Sequence, residues 1–235
     1  MTPWQIPKMW EGGECWIIGG GPSMPLEFGI PEDVIEKVCS EELPINAYSP
    51  FLSAIHDKHV IGVNAAFFLG SWIDIMFFGD GGFYFANKDA LKAFPKVKVS
   101  SNPNITKKNM YDIKYIPRNG KHPNGISPKE NTISWNLNSG AASISLAYHL
   151  GVKRIYLLGF DMRVGATNVQ HWHRHYPRNK KDPKQRDPNR LPFARHLRGF
   201  HAVANDANRI GLEIINISPN SKIEVFKRVK LSDVL

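Results

Sequence analysis

Short apolar runs alternate along this chain with stretches whose apolar residues recur at helical spacing. The first run, Glu14–Ile18 (ECWII), stops at three glycines and reads as a buried strand. Val34, Ile35 and Val38 then share one helical face over Pro31–Ser40, and a loop follows through Pro44 and Pro50. His59–Val63 and Ile73–Phe78 read as the second and third strands, Phe83–Ala93 as a helix, and Lys96–Ser100 and Asp112–Ile116 as short strands. Ser139–Leu150 (SGAASISLAYHL) reads as a helix with Ser139 as N-cap and Gly151 closing it. Arg154–Leu158 is a further buried strand. Leu191–Ile210 is a long helix with Phe193, Leu197, Phe200, Val203 and Ala204 inward, and Glu213–Ile217 is the last strand. No internal repeat and no heptad pattern interrupts this order. It predicts one α/β domain over residues 1–235, with a Rossmann-like, doubly wound, mostly parallel sheet.

In such a sheet ligands bind beyond the carboxyl ends of the strands. The residues expected there are Gly19, Gly20, Gly21, Pro22 and Ser23, then Asn64, then Asp80 between glycines, then Asp161, and finally Pro219, Asn220 and Ser221. Glycines directly after a strand let the backbone turn tightly and bring peptide N–H groups close to phosphate oxygens. The segment is neither the dinucleotide fingerprint, for which a second Gly pair and a helix at the right spacing are missing, nor a P-loop, which needs a Lys-Ser/Thr pair. A plain strand-to-loop turn is the alternative.

Composition narrows the class. Hydrophobic content of 42% and charged content of 22% are those of an ordinary globular domain. No apolar stretch nears the roughly 18 residues of a membrane span, and the first ten residues do not read as a signal peptide. Cys15 and Cys39 make neither a disulfide framework nor a zinc site. A bacterial or phage-infected cytoplasm is expected. The net charge of +9 is uneven: residues 107–129 hold six Lys/Arg against one acid, and residues 178–198 hold eight against two. Those windows carry +5 and +6, which leaves about −2 for the rest of the chain. They are solvated loops or they meet an anionic partner, a nucleotide or a nucleic acid.

Several side chains carry candidate chemistry. The Asn64 amide suits a base edge or ribose hydroxyl, or caps the next helix. Asp80 is a turn residue or a ligand for a sugar hydroxyl or a metal such as Mg2+ or Mn2+. Asn138, Ser139 and Gly140 open a helix whose unpaired N–H groups favour an anion. Asp161 faces the cleft or braces its loop. The cluster His171, Trp172, His173, Arg174, His175, Tyr176 offers a general base, with zinc binding and an incidental surface cluster as alternatives. Its alternate histidines share a face if extended. His196 and His201 lie on the long helix, His201 near its apolar face.

The order IIGGGPS, GVNAAFF, NSGAASISLAYHLGVKRIYLLGFDM and INISPNS resembles the bacterial sialyltransferases of GT-A-variant fold and the related DUF115 proteins. The latter include archaeal 6-hydroxymethylpterin diphosphokinases and many bacteriophage proteins. The resemblance covers Glu14 to Ser221. It implies that Gly19–Ser23 and Asn64 bind the nucleotide of a CMP-sugar, that Ser139, Gly140 and Pro219–Ser221 contact the donor, and that a loop histidine is the general base. His171, His173 and His175 are all available, with His173 or His175 favoured. Tyr176 is the one tyrosine in that loop to meet the leaving phosphate. Asp80 departs from the Asn that the sialyltransferases carry.

The expectation is therefore a glycosyltransferase using a CMP-, UDP- or GDP-linked sugar, with donor phosphates near Gly20, Gly21, Ser139 and Gly140. The basic loop at about 162–190, with Arg174, Arg178, Lys180, Lys181, Lys184 and Arg186, would meet the acceptor. A hydroxymethylated pyrimidine in phage DNA is one such acceptor, with Trp172, Phe193 or Tyr176 stacking on the base. The rival readings are an ATP/Mg-dependent diphosphokinase with Asp80 and Asp161 as metal ligands, and a non-catalytic nucleic-acid-binding protein.

Overall fold

Each strand is a short apolar run that must bury both faces, so the chain builds a parallel sheet covered by helices on either side. The computed structural model describes residues 2–106, 110–165, 170–173 and 192–235. The strands are β1 (Glu14–Ile18), β2 (Val60–Val63), β3 (Ile75–Phe78), β4 (Val97–Ser100), β5 (Ile113–Tyr115), β6 (Arg154–Leu158), β7 (Glu213–Asn216) and β8 (Lys227–Arg228). They form one sheet in the order β5-β4-β3-β2-β1-β6-β7-β8. Every pairing is parallel, which sharpens the expectation of a mostly parallel sheet.

The period of two along each strand divides the core. Cys15 and Ile17 point to a layer shared with Ile61, Phe77, Leu157 and the helices α6 (Ser139–His149) and α7 (Phe193–Ile210). Trp16 and Ile18 point to the opposite layer with Met76, Phe78 and Leu158. That layer is closed by α2 (Glu32–Cys39), a 3-10 segment Ile45–Ile55, α3 (Gly81–Ala86) and α4 (Lys88–Ala93). From β1 the chain winds outwards to β5, then returns through α6 to β6 on the other side of β1. The strand order therefore reverses between β1 and β6, and a crevice opens beyond their carboxyl ends.

Local chemistry moves several expected boundaries. The glycine turn runs straight into a short helix α1 (Ser23–Glu27), where the sequence reading placed none. The stretch through Pro44 and Pro50 is not a plain loop, because Tyr48, Leu52 and Ile55 bury a helical face. The helix expected over Phe83–Ala93 starts earlier, because Asp80 caps it at Gly81, and it breaks at Asn87 (φ −130°). The Asn87 amide donates to the Phe83 carbonyl at 2.8 Å, the side-chain competition that ends helices at Asn. Ser139 is not the N-cap of α6. Asn138 is, its Oδ1 accepting from Gly140 N (2.8 Å) and Ala141 N (3.4 Å). The helix α5 (Pro103–Thr106) and the edge strand β8 had no signal strong enough to read. On α7, Gly199, Phe200, Val203, Ala204 and Ala207 are buried, whereas His201 is exposed and so is not the core histidine its position suggested.

Candidate functional site

The registers fix how the strand ends line up. Ile18 pairs with Gly62 on β2 and with Leu158 on β6. The carboxyl end of β1 is therefore flanked by the ends of β2 and β6, which lead into Asn64 and Gly159. Gly19–Ser23, Asn64 and Gly159–Asp161 thus meet at the crevice.

The three glycines are held by different neighbours. A Cβ on Gly19 would stand 2.8 Å from the Gly159 carbonyl, one on Gly20 would stand 2.7 Å from His171 Nδ1, and one on Gly21 would collide with the Asp161 carboxylate. Gly19 N–H donates to Leu158 O (2.8 Å) and Gly21 N–H to Gly159 O (2.7 Å). Gly20 N–H makes no hydrogen bond among the described residues. Asp161 braces the turn: its Oδ2 accepts from Ser23 N at 2.9 Å. Ser23 Oγ in turn meets Ser218 Oγ at 2.9 Å. Burial pushes the Asp161 carboxyl above the ordinary range, and the Ser23 and Ser218 hydrogen bonds only partly offset it.

Asn64 is the most exposed to ligand logic. Its backbone is left-handed (φ 53°), its side chain caps nothing, and its Oδ1 is buried with no hydrogen-bond partner among the described residues. An orphaned buried amide oxygen carries a desolvation penalty of about 1–3 kcal/mol until a donor arrives. Asn138 resembles it: Oδ1 caps α6 while Nδ2 is buried and unpartnered among the described residues. Gly140 N–H is therefore taken by the cap, and Ser139 N–H at the first helical position is the donor that remains. Gly140 answers to packing as well, since a Cβ there would stand 2.7 Å from the Phe160 ring.

Residues 170–173 dock on the glycine turn. Trp172 N–H donates to Gly20 O (3.1 Å) and Trp172 Nε1 to Gly19 O (2.8 Å), while His171 Nδ1 lies 3.3 Å from Gly20 O. Trp172 is 1% exposed and packs edge-on against Tyr48, so it is an anchor and not a platform for a flipped base. His171 and His173 stack with their planes 12° apart, on one side of the chain as the alternation predicts. His171 is half-buried, whereas His173 is 2% exposed. A carbonyl only accepts, so as a hydrogen bond the contact with Gly20 O requires a proton on His171 Nδ1. Arg174, His175, Tyr176, Arg178, Lys180, Lys181, Lys184 and Arg186 lie outside the described residues.

Other candidates are tied into the scaffold. Asp80 is exposed and accepts from Gly82 N at 2.7 Å, the turn role the sequence allowed for. Among the described residues no three His, Cys, Asp or Glu side chains converge on a metal position. Ser221 Oγ donates to Phe160 O at 2.6 Å and is buried, Asn220 is exposed with its carbonyl 3.4 Å from Arg163 Nη1, and Pro219 is half-buried beside it. One feature of the rim escaped sequence reasoning. Arg118 lies flat on Trp135, its guanidinium carbon 3.6 Å from the ring centroid. In the sequence Arg118 counts only as charge in a basic window, and Trp135 carries no signal of its own.

No protein-family description matches the chain, and no curated protein matches it. Its fold is similar to that of bacterial sialyltransferases. The sialyltransferase CstII from Campylobacter jejuni, in complex with the substrate analogue cytidine-5'-monophosphate, aligns with a TM-score of 0.50 and 16% identity over 92% of this chain and 84% of that one. A single-substitution variant of CST-II in complex with CMP gives 0.53 at 15% identity, over 92% and 86%. The MAf glycosyltransferase from Magnetospirillum magneticum AMB-1 gives 0.58 at 17% identity, over 100% of this chain and 36% of that one. At such identities the likeness is one of fold, an α/β domain on an all-parallel sheet.

Proposed function

We propose that this protein is a glycosyltransferase that moves a sugar from a nucleotide-sugar donor to a hydroxyl acceptor. The observation that carries the reading is Asn64: a buried amide oxygen with no partner among the described residues, on left-handed backbone at the end of β2, the strand next to β1 and so one strand from the reversal point. A pyrimidine or ribose donor group would satisfy it. In this reading Gly20 N–H and Ser139 N–H take the donor phosphates, with the α6 dipole adding to them. Two of the fold neighbours were solved with CMP bound, which supports a cytidine donor among the CMP-, UDP- and GDP-linked candidates.

His171 is the general base in this reading. Its Nε2 takes the proton of the acceptor hydroxyl as that oxygen attacks the anomeric carbon, and the bond from that carbon to the donor phosphate breaks. His173, stacked behind it, orients the ring. Negative charge on the departing phosphate is met by preorganised backbone N–H groups. The acceptor that the basic segments support is itself anionic, such as a hydroxymethylated base in DNA, although Trp172 is not available to stack on it.

A thermal-shift screen tests the donor. CMP-, UDP- and GDP-sugars are compared with ATP and Mg2+, for the wild type and for Asn64→Ala. Stabilisation by a nucleotide sugar that is lost in the variant is the expected result. Selective stabilisation by ATP with Mg2+ would overturn the transferase reading in favour of diphosphoryl transfer.

A further inference from the structure

The rim holds a second feature that donor binding at the glycine turn does not use. Arg118 follows β5, and its Nη2 donates to the Gly79 carbonyl (2.9 Å) while Nε donates to Ser101 Oγ (3.2 Å). These contacts fix the guanidinium against the ends of β3 and β4, and Trp135 supports its face. The platform is built into the fold: any Cβ on Gly79 would collide with the Trp135 ring. Trp135 belongs to the turn that leads into α6, its carbonyl accepting from Asn138 N at 3.1 Å.

What the platform lacks is an anion. Arg154 pairs with the carboxylates of Glu14 and Glu213 and Arg209 with that of Asp206, but Arg118 has no carboxylate within ion-pair distance among the described residues. Asp80, next in the chain to Gly79, turns its Oδ1 to Gly82 N instead. The Arg118 side chain is exposed; partial desolvation of its guanidinium lowers the pKa, and Tyr115 opposes the shift. Of the five guanidinium N–H groups, those engaged lie on Nε and Nη2, and Nη1 makes no hydrogen bond among the described residues. A flat, immobilised guanidinium with donors to spare matches the two oxygens of a carboxylate or phosphate.

We propose that Arg118, held on Trp135, is a recognition point for a phosphate or carboxylate group borne by a substrate, distinct from the nucleotide position at Gly20 and Asn64. β3 stands two strands from β1, roughly 10 Å away at paired-strand spacing. An anionic group on the transferred sugar or on the acceptor therefore reaches Arg118 while the nucleotide occupies the crevice. The identity of the bearer rests on the transferase reading; the anion site does not.

The test is a titration with inorganic phosphate, with acetate, and with CMP, at constant ionic strength, read as the midpoint of thermal unfolding. For the wild type we expect a saturable rise with phosphate or with acetate, and the stronger of the two identifies the group. Arg118→Gln should weaken that response at least tenfold while keeping the CMP response. Arg118→Lys, which keeps the charge but not the fork, should fall between. Asn64→Ala should show the opposite pattern, losing CMP and keeping the small anion. If Arg118→Gln does not fold, the Nε–H resonance of Arg118 in 15N-labelled wild type replaces it, and must shift saturably with the anion. Equal responses of wild type and Arg118→Gln, no response of the wild type to either anion, or an unmoved Nε–H resonance would overturn the proposal. Loss of the CMP response alone, with the anion response intact, would instead overturn the transferase reading.

Discussion

Burial sets the titration of three side chains in ways that oppose one another. Desolvation lowers the pKa of His149 and takes that of His196 down to about 4, with Lys8 and Arg195 adding repulsion. Each binds its proton less readily in the folded chain than in the unfolded one. The stability present above the unfolded value, about 6.5, is therefore lost as the pH falls through that value towards about 4. Asp161 has the reverse sign: its raised carboxyl contributes stability that is lost as the pH rises through the folded value. Unfolding of the wild type and of His196→Asn, followed by circular dichroism from pH 7 to pH 4.5, should show a steeper decline for the wild type; parallel profiles would refute the assignment. At the glycine turn the two described histidines separate by burial. His171→Gln is expected to slow sugar transfer by about 10²–10⁴-fold, the usual worth of a general base, with nucleotide binding unchanged. Substitution of the buried His173 should lower thermal stability as well as rate. A rate unaffected by His171→Gln would move the base into the segment that holds His175.

At the scale of elements, the site depends on how α6 begins. Asn138, not Ser139, satisfies the first N–H groups of that helix. Asn138→Ala should therefore cost about 1 kcal/mol or more, while Ser139→Ala should cost little, as read from urea unfolding midpoints. The reverse order would contradict the cap. Ser139 looked like the cap because both residues are good N-caps and they are adjacent; only backbone geometry, extended at Asn138 (φ −153°), decides between them. Strands were far more legible. Glu14–Ile18 and Arg154–Leu158 coincide with the expected runs because a strand buried on both faces must be apolar throughout. The five-residue α1 and the break at Asn87 were not legible, since helices this short show too few turns for a period. Trp172 was misread for a different reason. Its neighbours are histidines and arginines, yet it donates to Gly19 O and docks its segment on the turn, a tertiary contact with no local signal.

In the whole molecule, topology decides which segments meet at the crevice. The chain was legible as a doubly wound sheet because apolar runs and helix-period stretches alternate, and the segments beyond the strand ends could be named before any coordinate. Their division of labour could not. Gly19 and Gly21 answer to the β6 end, Asp161 to Ser23, and Ser221 to Phe160. Gly20 N–H, Asn64 Oδ1 and Ser139 N–H have no hydrogen-bond partner among the described residues and are the groups the proposed nucleotide would take. Arg118 and Trp135 joined the rim only through the crossover that brings the residues after β5 back over β3 and β4. The central claim is that a nucleotide sits at the reversal point of the strand order. Amide hydrogen exchange followed by mass spectrometry, with and without saturating CMP-sugar, measures this directly. The account predicts slowed exchange in peptides spanning residues 19–24, 64–69 and 136–142, with the amino-terminal edge of the sheet unchanged. Protection that bypasses all three segments would contradict it.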